Sequence, residues 1–141
     1  MALETGEFVA NLVTEDVAEE MDLTSASLEG QSEFEYFEIE QEEAVTVDAP
    51  RVSDSAACLE CSVIDSIDVY DNKVIIGDVE HIYVDERLMS DEVVDMQKVD
   101  SVGRIGGPWY SGIDILDIER KGFGAWSDPV PLGFEVDDDT Q

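Results

Sequence analysis

Positive charge is what this sequence has least of: 7 Lys and Arg stand against 36 Asp and Glu in 141 residues. Binding nucleic acid by neutralising phosphates needs a cationic surface, and so does attraction to anionic lipid. Nucleic acid and membrane are therefore excluded as partners. Histidine occurs once, at His81, and cysteine twice, at Cys58 and Cys61. A lone C-x-x-C can suggest redox or zinc chemistry, but zinc would want a second cysteine pair or further histidines, so no metal is expected. The two cysteines also fall in an extended run, where residues three apart face opposite sides. Two buried structural thiols are the simpler reading beside a functional dithiol. No run approaches the roughly 20 apolar residues of a membrane span, and the stretch from Met1 to Glu7 has neither the basic nor the apolar part of an export signal. A cytoplasmic location is the expectation. Phosphate-loop, dinucleotide-fold and nucleophile-elbow motifs are lacking as well, which excludes classical NAD domains and hydrolases.

What is abundant is acid, with a formal net charge of -29 at pH 7. Self-repulsion of that size opposes compaction in dilute buffer. At 1 M salt the Debye length falls to about 3 Å and the repulsion is screened. Asp137, Asp138 and Asp139 form a run, read as part of an acidic tail over residues 126–141, but the other acids are spread through every segment. Spread favours a whole surface adapted to a salty cytoplasm, a halophilic protein, over an acidic interaction protein. The remaining residues, 1–125, read as one domain.

The clustered apolar residues predict a β-rich fold. Residues 8–13 follow Gly6 and read as a buried strand. A helix comes next, with Asp16 and Glu19 at capping-box spacing and Val17 and Met21 on one face. A short helical turn at 32–35 is open, since Phe34, Tyr36 and Phe37 could equally anchor a loop. Residues 58–69 and 73–84 are long extended runs separated by Tyr70, Asp71 and Asn72, which predicts a β-hairpin. In its second run Ile75, Gly77, Val79, His81 and Tyr83 share one face by alternation. Gly77 marks a bulge or a close approach of backbone or ligand. After Asp85 a loop with a short helix is expected, and then three glycines, Gly103, Gly106 and Gly107, stand beside Arg104, Trp109 and Tyr110. The stretch with Gly122, Gly124, Pro129 and Pro131 reads as irregular chain.

Three patterns occur in order: Glu4-Thr5-Gly6-Glu7-Phe8-Val9-Ala10-Asn11-Leu12-Val13, then Ile76-Gly77-Asp78-Val79-Glu80-His81-Ile82-Tyr83-Val84-Asp85, then Arg104-Ile105-Gly106-Gly107-Pro108-Trp109-Tyr110. With Ala49-Pro50-Arg51-Val52 between the first two, the chain from about Leu3 to about Tyr110 resembles the flavin reductase family of FMN-binding split β-barrels. The resemblance implies a mainly β split barrel with one or two short helices, working as a homodimer. Family members carry further strands before the first pattern, so the resemblance also implies a barrel short of its first strands. The implied function is an FMN-dependent oxidoreductase, with FAD the second choice of flavin, that moves hydride from NAD(P)H to flavin. The alternative is a module that holds flavin or a partner chain without turnover, or an inactive fragment.

The candidate site residues carry two readings each. His81 is either a satisfied structural histidine or, since its family position lies near flavin and nicotinamide, the catalytic group. Arg104 suits either an ordinary ion pair or a phosphate or carboxylate of the ligand. Gly106 and Gly107 permit close backbone approach and Tyr110 offers a flat surface, or else the three make a tight turn with core aromatics. Asn11 either donates to the cofactor or closes a strand end, and Gly77 leaves a gap for a planar ligand. His81, Arg104, Gly106, Gly107 and Tyr110 are expected to converge on one pocket, in one chain or across a dimer.

Overall fold

A computed structural model describes residues 2–26, 28 and 30–115 of the chain. A single helical turn, α1 (Ala2–Thr5), is stopped by Gly6 at φ 80°, and the apolar-rich run after it forms β1 (Glu7–Asn11). A 3-10 turn at Glu15–Val17 runs into α2 (Ala18–Leu23), and α3 (Glu33–Tyr36) follows. Two short strands, β2 (Gln41–Glu42) and β3 (Arg51–Val52), pair antiparallel at the base of a strap. The long strands β4 (Ala57–Val69) and β5 (Asn72–Val84) come next. Two small hairpins complete the described chain: β6 (Met89–Ser90) with β7 (Val93–Val94), and β8 (Val102–Gly106) with β9 (Trp109–Gly112). The readings for 116–141, the glycine and proline stretch and the acidic tail among them, lie outside the described residues. No helix among the described residues is long and apolar enough to cross a membrane.

The centre is a mainly β, three-stranded antiparallel sheet in the order β1-β4-β5. Its hairpin is the one the alternating runs predict, but the turn is tighter: Asn72 already belongs to β5, and Tyr70 takes a left-handed φ of 53° while almost fully exposed. Two bulges interrupt the ladder. The register passes from Glu60↔His81 to Cys61↔Val79, leaving Glu80 over, and from Val63↔Gly77 to Asp65↔Ile76, leaving Ile64 over. Directly paired residues share a face, and a bulge shifts the alternation of one strand against the other. His81 and Tyr83 therefore lie on the face of Glu60 and Cys58, and Gly77 and Val79 on the face of Cys61 and Val63. The expectation that Gly77 and His81 share a face is corrected by the extra residue between them.

Three local expectations also change. The β1 strand is half-buried with Ala10 exposed rather than buried, because it pairs on one side only. The Asp16 and Glu19 capping box does not form: the 3-10 turn moves the helix start to Ala18, and Asp16 accepts instead from the Thr14 hydroxyl. After Asp85 there are two 3-10 turns in place of a helix, capped where Asp85 accepts from Arg87 N at 2.8 Å and Asp95 from Gln97 N at 3.0 Å. The buried apolar set among the described residues is small: Val17, Val47, Ala56, Cys58, Cys61 and Leu88. It is not confined to one side of the sheet, since Cys58 and Cys61 face opposite ways on β4. The outer half of the hairpin is bare, with Ile64, Ile67, Val69, Val74, Ile75 and Ile76 all exposed.

Candidate functional site

On the strap-covered face of the sheet the pairing sets His81 beside Glu60. Glu60 has no solvent exposure at all. Its carboxylate accepts from Val45 N at 2.9 Å, Thr46 N at 2.7 Å and Thr46 Oγ1 at 2.6 Å. Burial alone would push its pKa up, but the Thr46 hydroxyl and the two backbone N–H groups, with a smaller contribution from His81, hold it below the ordinary carboxylate value. Along the same face the buried Arg51 guanidinium lies 3.8 Å from the Tyr83 ring centroid and pairs with Glu42, while its Nη1 has no hydrogen-bond partner. Burial pushes the Cys58 thiol up, with the Arg51 charge opposing, and burial together with Glu80 raises Cys61. Both cysteines are buried free thiols on opposite faces, an environment that disfavours the reactive thiolate.

A second group of candidates sits on the β8–β9 hairpin. Gly106 at φ 153° and Gly107 at φ 55° make its turn, conformations that glycine adopts freely. Arg104 is exposed, reaches Gly107 O at 3.4 Å, and among the described residues forms no ion pair. Trp109 is exposed beside it. Tyr110 is half-buried, and its hydroxyl donates to Asp22 Oδ1 at 2.9 Å, tying the hairpin to α2. That acceptor holds the phenol above its ordinary pKa. The hairpin base is fixed to the rest by Val102 N donating to Val13 O at 3.1 Å and by the bridge between Thr14 and Ser101.

The structure thus brings Arg104, Gly106, Gly107 and Tyr110 together in one hairpin. No hydrogen bond or ion pair among the described residues joins them to His81. Asn11 is engaged at the strand end, where its Oδ1 accepts from Val52 N at 3.0 Å. The space over Gly77 holds the Phe8 ring: a Cβ there would lie 2.8 Å from Phe8 Cε1. Sequence reasoning missed Glu60, Thr46 and Arg51. The available signal was an acid in the apolar-flanked centre of a strand, where only paired or multiply hydrogen-bonded acids are tolerated. It also missed the largest cavity described, about 860 Å³ between α1, β1, α3 and the strap, lined by Phe8, Phe34, Pro50, Glu7, Glu33 and Asp48 among others.

Comparisons with known proteins place this geometry. The family described as "Flavin reductase like domain" matches residues 1–100, ending before the β8–β9 hairpin. An uncharacterized protein of Aquifex aeolicus is 34% identical over 110 residues, covering 77% of this chain and 56% of its own length. Among solved structures, the 2-nitrobenzoate 2-nitroreductase of Pseudomonas fluorescens superposes with a TM-score of 0.79 at 27% identity, over 90% of this chain and 66% of that one. Flavoredoxin of Desulfovibrio vulgaris gives 0.72 at 23% identity, over 88% and 68%. The chain thus spans less than two thirds of the length of the first two of these relatives. The mainly β fold is that of its split-barrel flavin reductase neighbours, and with its first hundred residues matched the chain belongs to the flavin reductase like family.

Proposed function

We propose that this chain binds flavin at the β8–β9 turn, with FMN the first choice and FAD the second, and serves an oxidoreductase that takes hydride from NAD(P)H. Family membership supports the flavin. The observation that carries the position is Arg104: in a chain with 36 acids, a guanidinium beside a glycine turn stays without a carboxylate partner among the described residues. Its forked donors match phosphate oxygens, Gly106 and Gly107 let the backbone close in, and Trp109 and Tyr110 offer ring surface. These residue types fit a flavin phosphate and the edge of its ring. Bound there, the flavin would supply the two-electron chemistry. The protein groups supply charge, orientation and shelter, with His81 as the proposed proton-holding group, Asn11 bracing β1 against β3, and Gly77 seating Phe8.

A homodimer belongs to the same reading. The exposed isoleucines and valines of the hairpin arm form an apolar surface of the kind that marks an interface, and an isolated two-stranded arm is marginal in water. Since no described contact links His81 to the turn within one chain, the proposal has the turn of one copy meet His81 of the other. A cytoplasmic setting is part of this proposal. The same missing link favours the second reading, a flavin- or partner-holding module without turnover.

Titration with FMN and with riboflavin separates phosphate recognition from ring recognition. Arg104→Gln is expected to weaken FMN roughly 10- to 100-fold, the worth of a hydrogen bond to a charged group, and to leave riboflavin unchanged. Equal FMN affinity in both proteins would move the phosphate away from this turn. NADH consumption by the FMN-loaded protein then decides between enzyme and module.

A further inference from the structure

The β8–β9 hairpin is seated on one stretch of chain, from Val13 to Asp22. At its base Val102 N donates to Val13 O at 3.1 Å, Glu15 N donates to Asp100 O at 3.0 Å, and Thr14 bridges to Ser101. Gly112 lies so close above this base that a Cβ there would come within 2.9 Å of Glu15 Oε1. Nearer the turn, the Tyr110 hydroxyl reaches α2 and donates to Asp22 Oδ1 at 2.9 Å. Asp22 stands in the last turn of α2, where a helix end disfavours negative charge. Its carboxylate does nothing for its own helix.

The pairing decides what else surrounds that hydroxyl. Arg104 is directly opposite Tyr110, and directly paired residues share a face. Both side chains are long, so a carboxylate at the tip of the phenol lies within the arc that the guanidinium can sweep. Asp22 holds the phenol above its ordinary pKa and the Arg104 charge opposes this, so both charges act on one hydroxyl. Yet Arg104 forms no ion pair among the described residues: its Nη2 points toward the turn, 3.4 Å from Gly107 O. A guanidinium that has an acid in reach and does not take it needs a cause. The Tyr110 hydroxyl supplies one, since it occupies Asp22 Oδ1 and orients the carboxylate toward β9.

We infer that Asp22 and the Tyr110 hydroxyl are positioning groups for the Arg104 turn: their hydrogen bond fixes the hairpin on α2 and keeps Asp22 from capturing Arg104, which leaves the guanidinium open to an anionic group of a ligand. The inference rests on the flavin reading only for the identity of that ligand.

A cycle of substitutions tests it, at the lowest salt that keeps the full chain folded. Tyr110→Phe keeps the ring of a half-buried residue and removes the donor. Asp22 is then expected to take Arg104, which is read without any ligand as a shift of the Arg104 Nε–Hε resonance and faster amide exchange along β8 and β9. FMN is expected to bind about 3- to 10-fold more weakly, the worth of an exposed ion pair together with the lost hydrogen bond. Riboflavin, which has the ring without the phosphate, should change less, and raising the salt should narrow the gap for FMN. Asp22→Asn alone keeps an acceptor for the hydroxyl and removes the charge, so FMN affinity should hold or rise. In the double variant no carboxylate is left to capture Arg104. Its resonance should return toward the wild-type position and FMN affinity should partly recover, although the hairpin amides still exchange fast. A plain loss of anchoring gives no such non-additive recovery.

An Arg104 resonance that is the same in wild type and Tyr110→Phe would overturn the inference, with or without flavin binding. So would a double variant that binds FMN no better than Tyr110→Phe, once Arg104→Gln has shown that FMN needs the guanidinium. If Arg104→Gln leaves FMN affinity unchanged, the flavin reading falls, and the ligand-free Arg104 resonance alone decides whether Tyr110 shields Arg104 from Asp22.

Discussion

Moved from molar potassium chloride to a buffer of low ionic strength, the chain is expected to lose its fold, and to regain it when the salt is restored. The net charge of -29 is the cause. At 0.1 M salt the Debye length is about 10 Å, so each surface carboxylate repels several neighbours, while at 1 M it is about 3 Å. Little in the structure opposes that repulsion. Lys73 and Arg87 each reach a carboxylate, but exposed pairs of this kind contribute only about 0–1 kcal/mol, and the buried Arg51 pairs with a half-exposed Glu42. The fully buried apolar residues among those described are few and mostly small, so the hydrophobic contribution that must outweigh repulsion is modest. The Glu60 hydrogen bonds are buried, hence hardly screened, and should be the last to respond to salt. Circular dichroism and tryptophan fluorescence across a potassium chloride series check this. Equal melting temperatures at both ends would show that the acids are a solubility feature with no bearing on stability.

What could be read from the sequence follows from how local each signal is. The β4–β5 hairpin was legible because long alternating runs flank a polar turn, and the β8–β9 turn because Gly106 and Gly107 announce left-handed backbone. The family resemblance was legible for a related reason, since its first two patterns lie on β1 and β5 within the matched residues 1–100. The two bulges were not legible. One unpaired residue, Glu80, is enough to put His81 and Gly77 on opposite faces, and alternation carries no mark of which residue will be left over. Nor was the strap, whose pins join residues 14 and 15 positions apart through a carboxylate that local patterning assigns to solvent. The predicted site residues divide accordingly: those on one turn were brought together by sequence proximity, and the face that His81 takes depended on sheet register.

Gly77 shows how the two kinds of information combine, and replacing it should produce the largest effect of any single change in the sheet. A Cβ at this position would lie 2.8 Å and 2.9 Å from the Phe8 ring and 3.0 Å from the backbone oxygen of Ser62. The ring could in principle rotate away, but the Ser62 carbonyl belongs to the β4 ladder and cannot. Gly77→Ala is therefore expected to destabilise by about 1–3 kcal/mol, the usual range for overpacking, and Gly77→Val by at least as much. Part of the loss should return when Phe8→Leu is added to Gly77→Ala, because residues in contact are not additive, whereas Phe8→Leu alone should destabilise. The outcome also separates the two meanings a glycine inside a strand can have. If Gly77 seats Phe8, the alanine variant melts earlier but its folded fraction binds FMN as the wild type does. A variant with an unchanged melting temperature and lost FMN affinity would instead mean that the bare Cα faces the ligand.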